Sequence, residues 1–234
     1  MKNEYTYEEL LTMAPGFIRD EMKDIEEGKA LPLLTFDAVF KKVFDPDVHQ
    51  ERVTKLFQYV FEVTDQKIIS SLKTEHAKPL LFSKKTVNDL NARITDESIL
   101  NMEMQVKAQE FIVNRINVYE ADLNILQYSV AFNQKKKEFT FEDIRHTYMI
   151  VLMKESPSVF KGNKYFIHKK LEITDTGIEL KRLSTVIYIE LDKCLRYVRE
   201  HGYLEGKEEL CQYLIAMADT NCEETLQHAK INPD

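Results

Sequence analysis

The chain has 234 residues, 44% of them hydrophobic and 30% charged, which is enough for one domain with a sizeable core. Its formal net charge of −7 argues against nonspecific nucleic-acid binding by the whole surface but leaves room for a local basic groove. No stretch approaches the roughly 20 apolar residues of a membrane span, and the opening MKNEYTYEELLTMAPGF lacks the basic-then-apolar order of a secretory signal.

In chain order, Tyr5 to Thr12 and Phe17 to Glu27 read as a helical preamble broken at Pro15-Gly16. TFDAVFKKVF follows, with Phe36, Val39, Phe40, Val43 and Phe44 on one helical stripe and Thr35 as its N-cap. Asp45-Pro46-Asp47 stops that helix, and Val53, Leu56, Phe57, Val60 and Phe61 repeat the stripe in a second one. Lys67 to Leu72 reads as a short strand. Further on, Ile112, Ile116, Tyr119, Leu123, Leu126 and Val130 mark a long amphipathic helix. Three strands are then predicted over 146–153, 165–173 and 178–191, the last two joined by Asp175-Thr176-Gly177. Helices over 192–201, 207–219 and 222–230 close the chain. The order is that of a mixed α/β fold with a helical segment at each end.

Between the second helix and the long one lies the most informative stretch, KTVNDLNARITDESILNMEMQVK. Leu90, Ala92 and Ile94, then Leu100, Met102, Met104 and Val106, alternate with Asp89, Asn91 and Arg93, then Asn101, Glu103, Gln105 and Lys107. Side chains alternate faces along a strand, so this is a hairpin with one core face and one polar face, turning at Thr95-Asp96-Glu97-Ser98. Asp89 and Glu103 share the polar face only in a pairing whose residue numbers have an even sum. Sums of 192 and 194 separate their β-carbons by roughly 4.5–8 Å. Two carboxylates that close repel unless a cation sits between them, which points to a hard divalent metal held by oxygen.

Three passages of the chain resemble the PD-(D/E)XK nuclease superfamily, in its transposase or recombination-promoting nuclease branch. TFDAVFKKVF resembles the family's opening helix, here Asp37, Phe40 and Lys41. NDLNARITDESILNMEMQ resembles its hairpin, here Asp89, Glu103 and Gln105, and FIVNRINVYEADLNILQY the helix that follows, here Arg115 and Tyr119. The resemblance implies a restriction-endonuclease-like α/β core, a mixed sheet flanked by helices, over residues 33–191. Residues 1–32 and 192–234 would be N- and C-terminal helical extensions of a single domain. It further implies a metal-dependent DNA endonuclease in which Asp89 and Glu103 hold Mg²⁺, or Mn²⁺ in its place, with the Met104 carbonyl and Asp37 as additional ligands. The superfamily's lysine two residues after the metal-binding Glu is replaced here by Gln105, an amide that orients water or phosphate but carries no charge.

Other readings stay open beside these. Lys107 lies on the same face as Gln105 and is either a cation for the site or merely solvated. Lys41, Arg115 and Tyr119 are candidates for phosphate contact, although Arg115 equally fits an ion pair tying helix to sheet. Asp37 equally fits the charge preference of a helix N-terminus. Lys84-Lys85, Lys135-Lys136-Lys137 and Lys169-Lys170 read first as solvated loops or strand edges. The odd count of three cysteines suits reduced thiols and a cytoplasmic protein. Two further classes compete with the nuclease: an inactive nuclease-fold module that binds DNA or a protein partner, and a homodimer paired through the long helix.

Overall fold

The computed structural model describes residues 29–72 and 90–225, together with Asp20, residues 23–25 and Glu27. The preamble helices at 5–12 and 17–27, the segment 73–89 and the helix end beyond 225 lie wholly or largely outside the described residues. The short helix α1, Asp37–Val43, buries Phe40, while Phe44 is buried at its C-cap and Phe36 stays exposed. Thr35 is not its N-cap. The cap position is Phe36 without a side-chain bond, and Thr35 is buried, its hydroxyl accepting from Lys154 Nζ at 3.4 Å. Helix α2, Gln50–Phe61, buries the predicted Val53, Leu56, Phe57 and Val60. It is tied to the first strand, β1, Ile68–Ser71, where the Ile68 amide donates to Thr54 Oγ1 at 3.1 Å.

The hairpin forms as β2, Leu90–Ile94, and β3, Ile99–Gln105. Helix α3, Ile112–Lys135, crosses over to β4, Thr147–Met153. The chain then runs through β5, Ile167–Lys169, and β6, Ser184–Glu190, into α4, Leu191–His201, and α5, Glu208–Ala218. β5 and β6 are shorter than the alternation suggests. Around the 175–177 turn the pairing is reduced to the isolated bridge Ile173–Glu179 and its flanking hydrogen bonds, and Ile173, Ile178 and Leu180 are exposed. Gly177 takes φ +83° in this turn, a conformation that favours glycine.

The six strands make one mixed sheet in the order β1-β2-β3-β4-β6-β5. β1, β2 and β3 pair antiparallel, β3, β4 and β6 parallel, and β5 closes the far edge antiparallel to β6. A parallel pair needs a long crossover, and α3 supplies it. Leu100, Met102, Ile150, Leu152, Ile187 and Ile189 face α1, α2, α4 and α5 in the larger core. Ile99, Met149, Val151, Met153, Val186 and Tyr188 face α3 in the smaller one, meeting Ile112, Ile116, Tyr119 and Leu123. With helices on both faces, this mixed sheet has the architecture of a restriction-endonuclease-like fold. Among the described residues no helix is long and apolar enough to cross a membrane.

Candidate active site

All seven residues of β3 are buried. Its even positions enter the larger core, whereas the face carrying Asn101, Glu103 and Gln105 lies beneath α3. The polar face predicted for the hairpin therefore exists, but from Asn101 to Gln105 the crossover helix roofs it, while Arg93 near the turn and Lys107 past the strand end stay exposed. Asn101 and Glu103 are both 0% exposed. A buried carboxylate is costly without compensating donors, and the local sequence provides them. Asn101 Nδ2 donates to Glu103 Oε1 at 3.2 Å and to Asn91 Oδ1 at 3.0 Å.

From α3, Arg115 completes a polar row. Its Nη2 lies 3.9 Å from Glu103 Oε2, its Nη1 donates to Gln105 Oε1 at 3.1 Å, and its Nε donates to the Tyr119 hydroxyl at 2.7 Å. The four-residue spacing of Arg115 and Tyr119 sets them side by side, with the guanidinium carbon 5.1 Å from the ring centroid. Helix and strand thus bring together Glu103, Gln105, Arg115 and Tyr119. Tyr119→Phe removes one acceptor of the guanidinium while leaving Gln105 in place. We expect it to cost about 1 kcal/mol, read as a lower urea midpoint with an unchanged slope.

The remaining predicted residues fall elsewhere. Asp37 is exposed at the start of α1 and pairs with Lys41 at 2.8 Å across one turn, and no contact joins Asp37 to Glu103 among the described residues. Lys107 is exposed just past the end of β3. The Met104 side chain belongs to the larger core. Asp89 lies outside the described residues, one position before β2. The described β2–β3 pairs, from Leu90 with Met102 to Arg93 with Ile99, have residue numbers that sum to 192, the first of the two registers considered. Among the described residues no three His, Cys, Asp or Glu side chains converge as a metal cluster.

The donor chemistry nevertheless suits a hard cation. Asn101 Oδ1 is buried and has no hydrogen-bond partner among the described residues, and the nitrogen of the same amide meets the Glu103 carboxylate. Its role was not read from the sequence, although its place two residues before Glu103 on the same face was the signal.

Two more buried carboxylates also escaped the sequence reading. Glu120, on α3, accepts from Lys170 Nζ at 2.6 Å and also from Arg182 and Ser184. Lys170 is thus not a solvated strand edge. Burial would raise the Glu120 pKa, but the bonds from Lys170 and Ser184 and the charges of Lys170 and Arg182 outweigh it and hold the carboxyl below its ordinary value. Glu190, at the end of β6, accepts from His168 at 2.9 Å and Lys193 at 2.8 Å. The separate cavity of about 870 Å³ beside α4, lined by Lys164, Arg196, Tyr197 and His201 among others, shares no residue with this polar row.

A mixed sheet with helices on both faces and a buried Glu-x-Gln on its hairpin is consistent with a nuclease-fold protein. The chain belongs to the PD-(D/E)XK nuclease family transposases, whose family model matches residues 34–233. That match reaches through α4 and α5, which pack into the same core as the sheet. No curated protein and no solved structure matches the chain.

Proposed function

We propose that the chain is a metal-dependent DNA endonuclease that hydrolyses phosphodiester bonds. The observation that carries this reading is the buried polar row Asn101–Glu103–Gln105–Arg115 in a chain of this family. Asp89 and Glu103 are its metal-holding carboxylates. If the β2–β3 register, with its sum of 192, runs one residue further, Asp89 falls opposite Glu103. The Met104 carbonyl and Asn101 Oδ1 add neutral oxygens, and Asp37 would join only from a side-chain position other than its pairing with Lys41.

When bound, Mg²⁺ or Mn²⁺ polarises the scissile phosphate, helps orient water and stabilises the leaving oxygen. Arg115 fixes the Gln105 amide by donating to its oxygen, so that the amide nitrogen is aimed and available to hold water or a phosphate oxygen. The Arg115 guanidinium also supplies positive charge on the face where the superfamily's lysine would stand. Lys107 and Lys41 are the exposed or half-buried cations proposed to meet the DNA backbone. The proposed setting is the cytoplasm.

Incubating supercoiled plasmid with Mg²⁺, Mn²⁺ or EDTA tests the reading. Nicking that needs metal and disappears in Asp89→Ala is the expected result. A folded wild-type protein that cuts under none of these conditions would instead favour an inactive nuclease-fold module binding DNA or a protein. The observation on the side of that second reading is that Gln105, in the place of the activating lysine, is already engaged by Arg115.

A further inference from the structure

Helix α3 is apolar on two sides. The stripe Ile112, Ile116, Tyr119 and Leu123 is buried against the sheet. A second set, Phe111, Val118, Ala121, Ile125, Tyr128 and Phe132, is exposed to solvent. With Asn114 included, its members step by 3 and 4 in strict alternation from 111 to 132, the a/d pattern of a coiled-coil seam sustained over three heptads. Its five large members are between 39% and 60% exposed, and Phe141, whose ring lies 6.4 Å from Tyr128, is 76% exposed. Contiguous apolar surface on this scale marks an interaction site rather than scatter.

We propose that this seam is a homodimer interface, formed by α3 of one copy against α3 of a second, running antiparallel. The exposed area fits that occupant. Taking roughly 200 Å² for a large side chain, the five large seam residues and Phe141 expose about 650 Å² per copy. A pair then buries about 1,300 Å², inside the roughly 1,200–2,000 Å² of specific stable interfaces. The helix dipoles, with the charges at the seam ends, favour one direction. Lys135-Lys136-Lys137 stand at one end of the seam, Lys135 paired with Asp143, and Glu110, which accepts from Ser158, stands at the other. A parallel pair would set the two lysine runs side by side, whereas an antiparallel pair sets each run beside the partner's glutamate end and opposes the helix dipoles. Ala121, small and near the middle of the seam, lets the two backbones approach there. A seam of this kind closes under two-fold symmetry, because the same patch serves both copies.

The interface is independent of the nuclease reading, and sedimentation of the full chain over a wide concentration range tests it. The wild type should sediment as a dimer, and Ile125→Glu with Phe132→Glu as a monomer of unchanged circular dichroism. Under mild oxidation Ala121→Cys should cross-link between copies, Phe132→Cys should not, and the wild type, whose three cysteines are buried, should not. A wild type that stays monomeric throughout, the seam then belonging to another segment of the chain, overturns the proposal. So does a dimer that survives both glutamates, and cross-linking through Phe132→Cys overturns the antiparallel arrangement.

Discussion

Glu103→Gln is expected to lower metal-dependent DNA cleavage at least about a hundredfold while leaving the protein folded. Glutamine keeps the shape of the side chain and an oxygen to accept the bond from Asn101, so the buried row stays filled. What it removes is the negative charge that a divalent cation requires. A carboxylate ligand to a catalytic metal contributes several kcal/mol at the transition state, and each 1.4 kcal/mol is about tenfold in rate. Alanine would confuse the result, because it leaves Asn101 and Arg115 facing a gap. The measurement pairs initial nicking rates with thermal melting. A variant that melts within a few degrees of wild type and cuts equally fast would remove Glu103 from the chemistry.

The second large effect concerns stability. Glu120→Ala should destabilise the fold by about 3 kcal/mol, the low end of what breaking a buried ion pair costs. The low end applies because Lys170 keeps a quarter of its side chain in water, although Arg182 keeps only 13%. The variant removes a shared partner of a lysine, an arginine and the Ser184 hydroxyl at once, leaving Lys170 with Asn117 and Arg182 with Glu172. A domain of this size loses about 2–4 °C for each kcal/mol, so melting should fall by roughly 6–12 °C. The effect depends on pH. Glu120 is held below its ordinary carboxylate value in the folded state, so its contribution is complete above the unfolded value, about 4.3, and is lost as pH falls through the folded one. The melting difference between wild type and variant should therefore shrink below about pH 4. A constant difference down to strong acid would show that Glu120 acts through packing rather than charge.

Local pattern carried much of the fold. The period-two alternation located β2 and β3, and the 3.5-residue stripe located α3, because both report one face against a core. The burial of Asn101 and Glu103 was not legible, since alternation distinguishes polar from apolar but not roofed from open. Only the docking of α3 decides that. The Glu120 cluster draws on Lys170, Arg182 and Ser184, between 50 and 64 residues away, and no local signal marks such a meeting. α3 itself misled in a different way. Its sequence was read for a single stripe, and the exposed heptad beside that stripe emerges once the buried side has been assigned. For the site, the sequence set Glu103 and Gln105 on one strand face and Arg115 and Tyr119 on one helix face, and only the docking of α3 joins the two pairs, while Asp37 pairs with Lys41 on its own helix.

The Arg115 bridge makes the hairpin's chemistry a matter of assembly order. A lysine carried on β3 would arrive with the strand, ready as soon as the hairpin closed. The guanidinium here arrives on a different element, reaching Gln105 from ten residues downstream. Until α3 lies on the sheet, Glu103 and Gln105 are two ordinary polar side chains on an open ribbon. On the proposed reading, the site is completed only when α3 docks, and a form in which the crossover helix had lifted away would lack the Arg115 contacts.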